Sequence, residues 1–125
     1  MKDKYEIAQD LYYKGREALD AGEFSKALDL FNRSIENNIH YKTLELIGNA
    51  YIKLEEYSKA IIPLAAATSL NDGPKAPSLL AEAYLNLGEI DNATRMANKS
   101  LNRLQNYGPA KKIIELIKIK NFPGS

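Results

Sequence analysis

GREALDAGEFSKALDLFNRSI, from Gly15 to Ile35, returns twice downstream at a shift of 33 residues. The second copy is GNAYIKLEEYSKAIIPLAAAT, from Gly48 to Thr68, and the third is AEAYLNLGEIDNATRMANKSL, from Ala81 to Leu101. Self-similarity at a fixed period of this size marks a repeat architecture, in which each unit buries its apolar face against the next. The copies agree by chemical type more than by identity. A small column reads Gly15, Gly48, Ala81, and three residues on stand Ala18, Tyr51, Tyr84. A turn column reads Gly22, Glu55, Gly88 and is followed by Phe24, Tyr57, Ile90. Alanine recurs unbroken at 27, 60 and 93, and Ser34, Ala67, Ser100 close the unit.

Each column has a physical reason. Small residues let two helices approach closely, and large ones three positions on share that face and fill the space beside it. Glycine accepts a left-handed backbone and so ends the first helix. The invariant alanine lets the second helix pack tightly against the first. The pattern therefore predicts a helix, a tight turn and an antiparallel helix in each unit.

These columns resemble the tetratricopeptide repeat, a helical hairpin of about 34 residues. The resemblance spans residues 8–106 in units of 8–40, 41–73 and 74–106. It implies an all-α fold, a right-handed superhelical α-solenoid of three helix-turn-helix repeats in one domain, 1–125. After Tyr107, GPAKKIIELIKIK starts a fourth first-helix over about 108–120, with no second helix after it. Pro109 suits its first turn. Ile113, Ile114 and Ile117 fall in the columns of Leu80, Ala81 and Tyr84, which resembles a capping helix. There are departures: Ala18 is small, Lys14 enters a column otherwise held by Ile47 and Leu80, and Glu55 replaces the turn glycine.

Composition narrows the function. Net charge is +1, so no overall field draws in nucleic acid or an anionic membrane. There is no cysteine, which removes disulfides, thiolate chemistry and cysteine-based zinc sites. The start, MKDKYEIAQD, lacks the apolar run of a signal peptide, and no apolar stretch reaches the ~20 residues of a membrane span. A cytoplasmic location is expected. Neither a phosphate-binding glycine loop nor metal-ligand spacing occurs. The lone histidine, His40, sits in an inter-unit loop without a partner set and reads as a surface residue. No catalytic constellation is found, so the chain reads as a non-enzyme needing no cofactor.

By helical period, Tyr12, Tyr13 and Arg16 share one face of the first helix. Their counterparts include Leu46, Asn49 and Lys53, then Lys75, Leu79 and Glu82, with Lys112 from the capping helix. The resemblance implies that this face lines a concave groove holding a peptide or helix of a partner protein. Tyr13, Leu46 and Leu79 would form an apolar row, with Arg16, Asn49 and Glu82 a polar row beside it. Some members of the family clamp the acidic C-terminal tails of heat-shock chaperones. The matching positions here are Tyr12, Arg16, Leu46, Lys75 and Leu79, of which only Lys75 fits, so that clamp is not expected.

One stretch stands apart. AIIPLAAATSL, Ala60 to Leu70, has no charge. Ile62, Pro63, Ala65 and Ala66 should point outward, where the neighbouring units carry Asp29, Arg33, Arg95 and Lys99. Pro63 removes the helix bond to the Lys59 carbonyl, at a cost of about 3 kcal/mol, and a kink is expected there. Two readings follow. The first is an adaptor that binds a partner segment in the groove. The second is a scaffold subunit, a homodimer through Ile62, Pro63 and Ala66 or through Ile119, which capping does not explain.

Overall fold

The computed structural model describes residues 1–120; positions 121–125, the end of the expected domain, lie outside the described residues. Among these there are seven helices and no strand. They are α1 (Lys4–Asp20), α2 (Phe24–Asn37), α3 (Tyr41–Lys53), α4 (Tyr57–Leu70), α5 (Lys75–Asn86), α6 (Ile90–Arg103) and α7 (Gly108–Lys120).

The sequence period reappears in the helix ends. First helices stop at 20, 53 and 86, second helices start at 24, 57 and 90, and each step is 33 residues. What stops the first helices is one repeated device. Gly22, Glu55 and Gly88 take φ of 78°, 58° and 77°. The N–H after each donates back to the carbonyls of Ala18, Tyr51 and Tyr84 at 2.8–2.9 Å. The N–H of the turn residue itself donates to Leu19, Ile52 and Leu85 at 2.9–3.0 Å. This paired closure satisfies carbonyls that a helix end leaves open. Glycine makes it without strain, whereas Glu55 places a Cβ in a region that disfavours one.

Within each hairpin the separation of the helices is set by a pair of residues sixteen apart: Gly15 with Phe31, Gly48 with Leu64, and Ala81 with Ala97. A methyl added at Gly15 would lie 2.5 Å from the Phe31 ring, and one at Gly48 would overlap the Leu64 side chain. Phe31, Leu64, Ala81 and Ala97 are all fully buried. Where the first helix gives up its side chain, the second supplies a large one; in the third unit two methyls share the space. Ser34 and Ser100 add a tie, donating at 2.7 Å to the carbonyls of Ala8 and Pro74 at the start of the partner helix.

Hairpins stack in order. α1, α3, α5 and α7 touch in series, while α2, α4 and α6 do not approach one another. The first helices thus form a continuous inner layer and the second helices a separated outer one, so the array curves with the first helices inside. The unit-to-unit core runs along this inner layer through Ile47, Leu80 and Ile113, all buried. The corresponding end position is Lys14, which is exposed. At the far end Lys118, also exposed, takes the place of Ile52 and Leu85. Arg103 fastens the third unit to the second by donating to the carbonyls of Thr68, Asn71 and Gly73 at 3.0, 2.9 and 3.2 Å.

α4 is helical throughout Tyr57–Leu70 with Pro63 inside it. Its outer face is less apolar than the sequence implied. Ile62 is 81% exposed and Ala65 is exposed, but Pro63 and Ala66 are half-buried. Ala66 packs against the Leu44, Ala67 and Ala76 cluster, because the start of α5 lies over that side of the helix. Neither Pro63 nor Ala66 therefore stands free on the outer surface.

Two outcomes test these constraints. Glu55→Gly should raise stability by about 1 kcal/mol, and Gly88→Ala, where nothing crowds an added Cβ, should lower it by a similar amount; urea melts measure both. Gly48→Ala should cost about 1–3 kcal/mol by overpacking. Combining it with Leu64→Ala, which copies the Ala81–Ala97 pair, should cost less than the two single changes summed, giving a double-mutant coupling of at least about 0.5 kcal/mol.

Candidate functional site

The inner layer presents the face that periodicity selected. Tyr13 is 54% exposed, and Arg16, Lys53, Lys75 and Lys112 are exposed. Tyr12, Leu46, Asn49, Leu79 and Glu82 are half-buried. Leu46 packs against the core of the first hairpin and Leu79 against that of the second. The apolar row is therefore uneven, with an open tyrosine at one end and two leucines sunk to half depth.

Near its middle the face carries a residue whose setting the sequence did not reveal. Glu45 on α3 is only 8% exposed and forms no ion pair among the described residues. Burial pushes its carboxyl above the usual carboxylate range, and Lys75 and Lys42 partly oppose the shift. Burial, with the Glu45 charge added, pushes the Tyr107 phenol up as well. Glu45 thus lies where α3, α5 and the start of α7 converge. An acid whose folded pKa is raised favours the folded state below its unfolded pKa and loses that contribution as pH rises through the folded one.

At the α1 end the face deepens into a cavity of about 260 Å³. Tyr12, Tyr13, Gln9 and Arg16 form its α1 wall. Tyr12 and Tyr13 meet edge to face at 5.3 Å, Tyr12 leans on Phe31 at 6.3 Å, and the Arg16 guanidinium lies 6.0 Å from the Tyr12 ring centre. Asn38, His40, Lys42 and Thr43 close the opposite side. Tyr5 joins because α1 begins at Lys4, one turn ahead of the repeat. Asp3 caps that turn, accepting from the Glu6 N–H at 2.8 Å. The Asp3-x-x-Glu6 spacing is a helix-start signal and could have placed Tyr5 on α1. His40 is exposed, as read, and has a definite task. It caps α3, its Nδ1 accepting from the Lys42 N–H at 3.1 Å, and stacks on Tyr41 at 4.8 Å.

Of the proposed self-association residues, Ile62 and Ile119 are open, at 81% and 70% exposure. They stand on different helices, α4 and α7. No group of three or more His, Asp or Glu side chains is placed to hold a metal ion among the described residues. None of their helices is long and apolar enough to cross a membrane.

Comparison with solved structures settles the architecture. The Arabidopsis OM64 TPR domain matches at TM-score 0.90 and 17% identity, covering 94% of this chain and 98% of that one. The first TPR of Spaghetti (RPAP3), bound to the HSP90 peptide SRMEEVD, matches at 0.88 and 20% identity, covering 93% and 94%. The fold is that of a tetratricopeptide-repeat domain. The second TPR domain of human RPAP3, in complex with the HSP70 peptide SGPTIEEVD, matches this TPR chain at 0.83 and 20% identity over 92% and 95%. No protein-family model and no curated protein matches the sequence. At these identities the likeness speaks for the TPR fold, and the ligand must be argued from the side chains on the inner face.

The buried glutamate offers a check on that face. Glu45→Gln should stabilise the protein at neutral pH and do little in acid, below the unfolded carboxyl pKa, where wild-type Glu45 is already protonated; melts across pH read the crossover.

Proposed function

We infer that this TPR domain is a non-catalytic interaction module that binds a peptide or helix of a partner protein along its inner face. The observation that carries the reading is the continuous inner layer of first helices. On it an open tyrosine and exposed basic side chains lie beside half-sunk leucines. Such a surface suits a ligand that inserts apolar anchors and pairs its polar groups at the rim. Two solved TPR domains of the same shape carry peptides, which supports the same use here. A chaperone-tail ligand does not transfer. Tyr12, Leu46 and Leu79 stand where the family's carboxylate clamp has polar or basic groups, and only Lys75 fits. A cytoplasmic setting belongs to the same proposal and rests on the sequence alone.

Self-association is the second reading, and Ile62 is the observation behind it. With Pro63 and Ala66 half-buried, the open apolar surface on α4 reduces to Ile62, Ala65 and, at the helix end, Leu70, well short of the ~1,200 Å² that a stable interface buries. The groove reading is therefore preferred.

Selection of peptides from a displayed library on the full chain tests it. Selected peptides should lose about tenfold or more in affinity on Leu46→Asp or Arg16→Glu, and should bind Ile62→Lys unchanged. Failure to select any peptide, or selection of peptides indifferent to the inner-face changes, overturns the groove. A concentration-dependent dimer by light scattering that Ile62→Lys dissociates would put self-association first.

A further inference from the structure

The cavity at the α1 end has a chemistry of its own. It is too small for a helix, and its volume of about 260 Å³ lies just under the range of small-ligand sites, which suits one large side chain. Its walls carry the rings of Tyr5, Tyr12, Tyr13 and His40. Tyr5 and Tyr13 stand open at 60% and 54% exposure. Exposed rings beside a concavity offer edge and face contacts to an entering ring, worth ~0.5–1.5 kcal/mol beyond area burial.

The charge is one-sided. Arg16 and Lys42 line the cavity, and none of its lining side chains is an acid. Thr43 adds a second, independent sign. It is 2% exposed and lines the cavity, yet its hydroxyl makes no hydrogen bond among the described residues, whereas neighbouring Ser34 gives its own to the Ala8 carbonyl. No buried side-chain oxygen lacks a partner among the described residues, so this hydroxyl opens onto the cavity, where it can donate to an acceptor that enters.

We propose that this cavity is the anchoring subsite of the groove and takes one aromatic side chain of the partner peptide with an acidic residue next to it. The inference rests on the groove reading and adds the ligand's chemistry to it. The aromatic ring enters between Tyr5, Tyr13 and His40. The neighbouring carboxylate lies toward Arg16 and Lys42. The Thr43 hydroxyl donates to a carbonyl of the bound segment. This site recognises an internal side-chain pair, and it uses Tyr5, His40 and Thr43, which the family's clamp positions do not include.

The test uses three capped tripeptides titrated into isotope-labelled full chain and followed by amide chemical shifts: acetyl-Glu-Tyr-Glu-amide, acetyl-Glu-Ala-Glu-amide and acetyl-Gln-Tyr-Gln-amide. The first should move the amides of Gln9, Tyr13, Lys42 and Thr43 saturably. Affinity should fall about tenfold when either the ring or the acids are removed, and again in the Arg16→Glu/Lys42→Glu variant. Lys99→Glu and Ile62→Lys, on the outer layer, should leave it within about twofold. Equal shifts from all three probes, or shifts confined to Leu46, Leu79 and Lys112, overturn the proposal. So does an absence of shifts with Glu-Tyr-Glu. If library peptides still bind through Leu46 while the tripeptides leave the cavity untouched, the subsite falls and the groove stands. If neither binds, both fall. Should the double charge reversal unfold the chain, Tyr13→Ala alone, with its melt unchanged, must weaken Glu-Tyr-Glu.

Discussion

The contact of a bare backbone with a large side chain sixteen residues later governs how this molecule is built. At Gly15 against Phe31, and at Gly48 against Leu64, the first helix has no side chain and the second fills the vacated volume. That exchange fixes how near the two helices of a hairpin lie. It also fixes where the turn must close, and so which face of the first helix is left to meet the next unit. The fully buried alanines at 27, 60 and 93 hold the same spacing nearer the turn. The buried serines at 34 and 100 hold it at the open end through their bonds to Ala8 and Pro74. Burial of Phe31 and Leu64 contributes ~1.5–3 kcal/mol each, so the closest contacts are also among the strongest.

Much of this was legible because each hairpin obeys the same local rules. The turn column announced left-handed glycines at 22 and 88, and Glu55, a departure in that column, adopts the same conformation although its side chain disfavours it. Here tertiary demand outweighs local preference. Complementarity between Gly48 and Leu64 was less legible. The two columns vary together across the units, and a column read alone shows only small or only large. The start of α1 was missed for a different reason: the repeat frame drew attention to residue 8, whereas the Asp3 cap starts the helix a turn earlier.

The inner face shows the same division. Exposure of Tyr13, Arg16 and Lys75 followed from helical period within one element. The depth of Glu45 did not, because Tyr107, whose phenol feels its charge, arrives 62 residues later in the chain. Nor did the covering of Ala66, which depends on where α5 begins. Properties created by two units meeting are the ones a single helix wheel misses. The cavity between α1, the end of α2 and the start of α3 is such a property, and it gathers the aromatic and basic residues richest in recognition chemistry.

Exposed Lys14 stands at one end of the column Ile47, Leu80 and Ile113, and exposed Lys118 at the other end of a different column, Leu19, Ile52 and Leu85. A second copy docking on either surface would have to strip water from the ammonium group it covers. That lost hydration works against head-to-tail docking there. Each of the two columns that join one hairpin to the next thus carries a charge at one end of the described helices, where an apolar side chain would invite another copy.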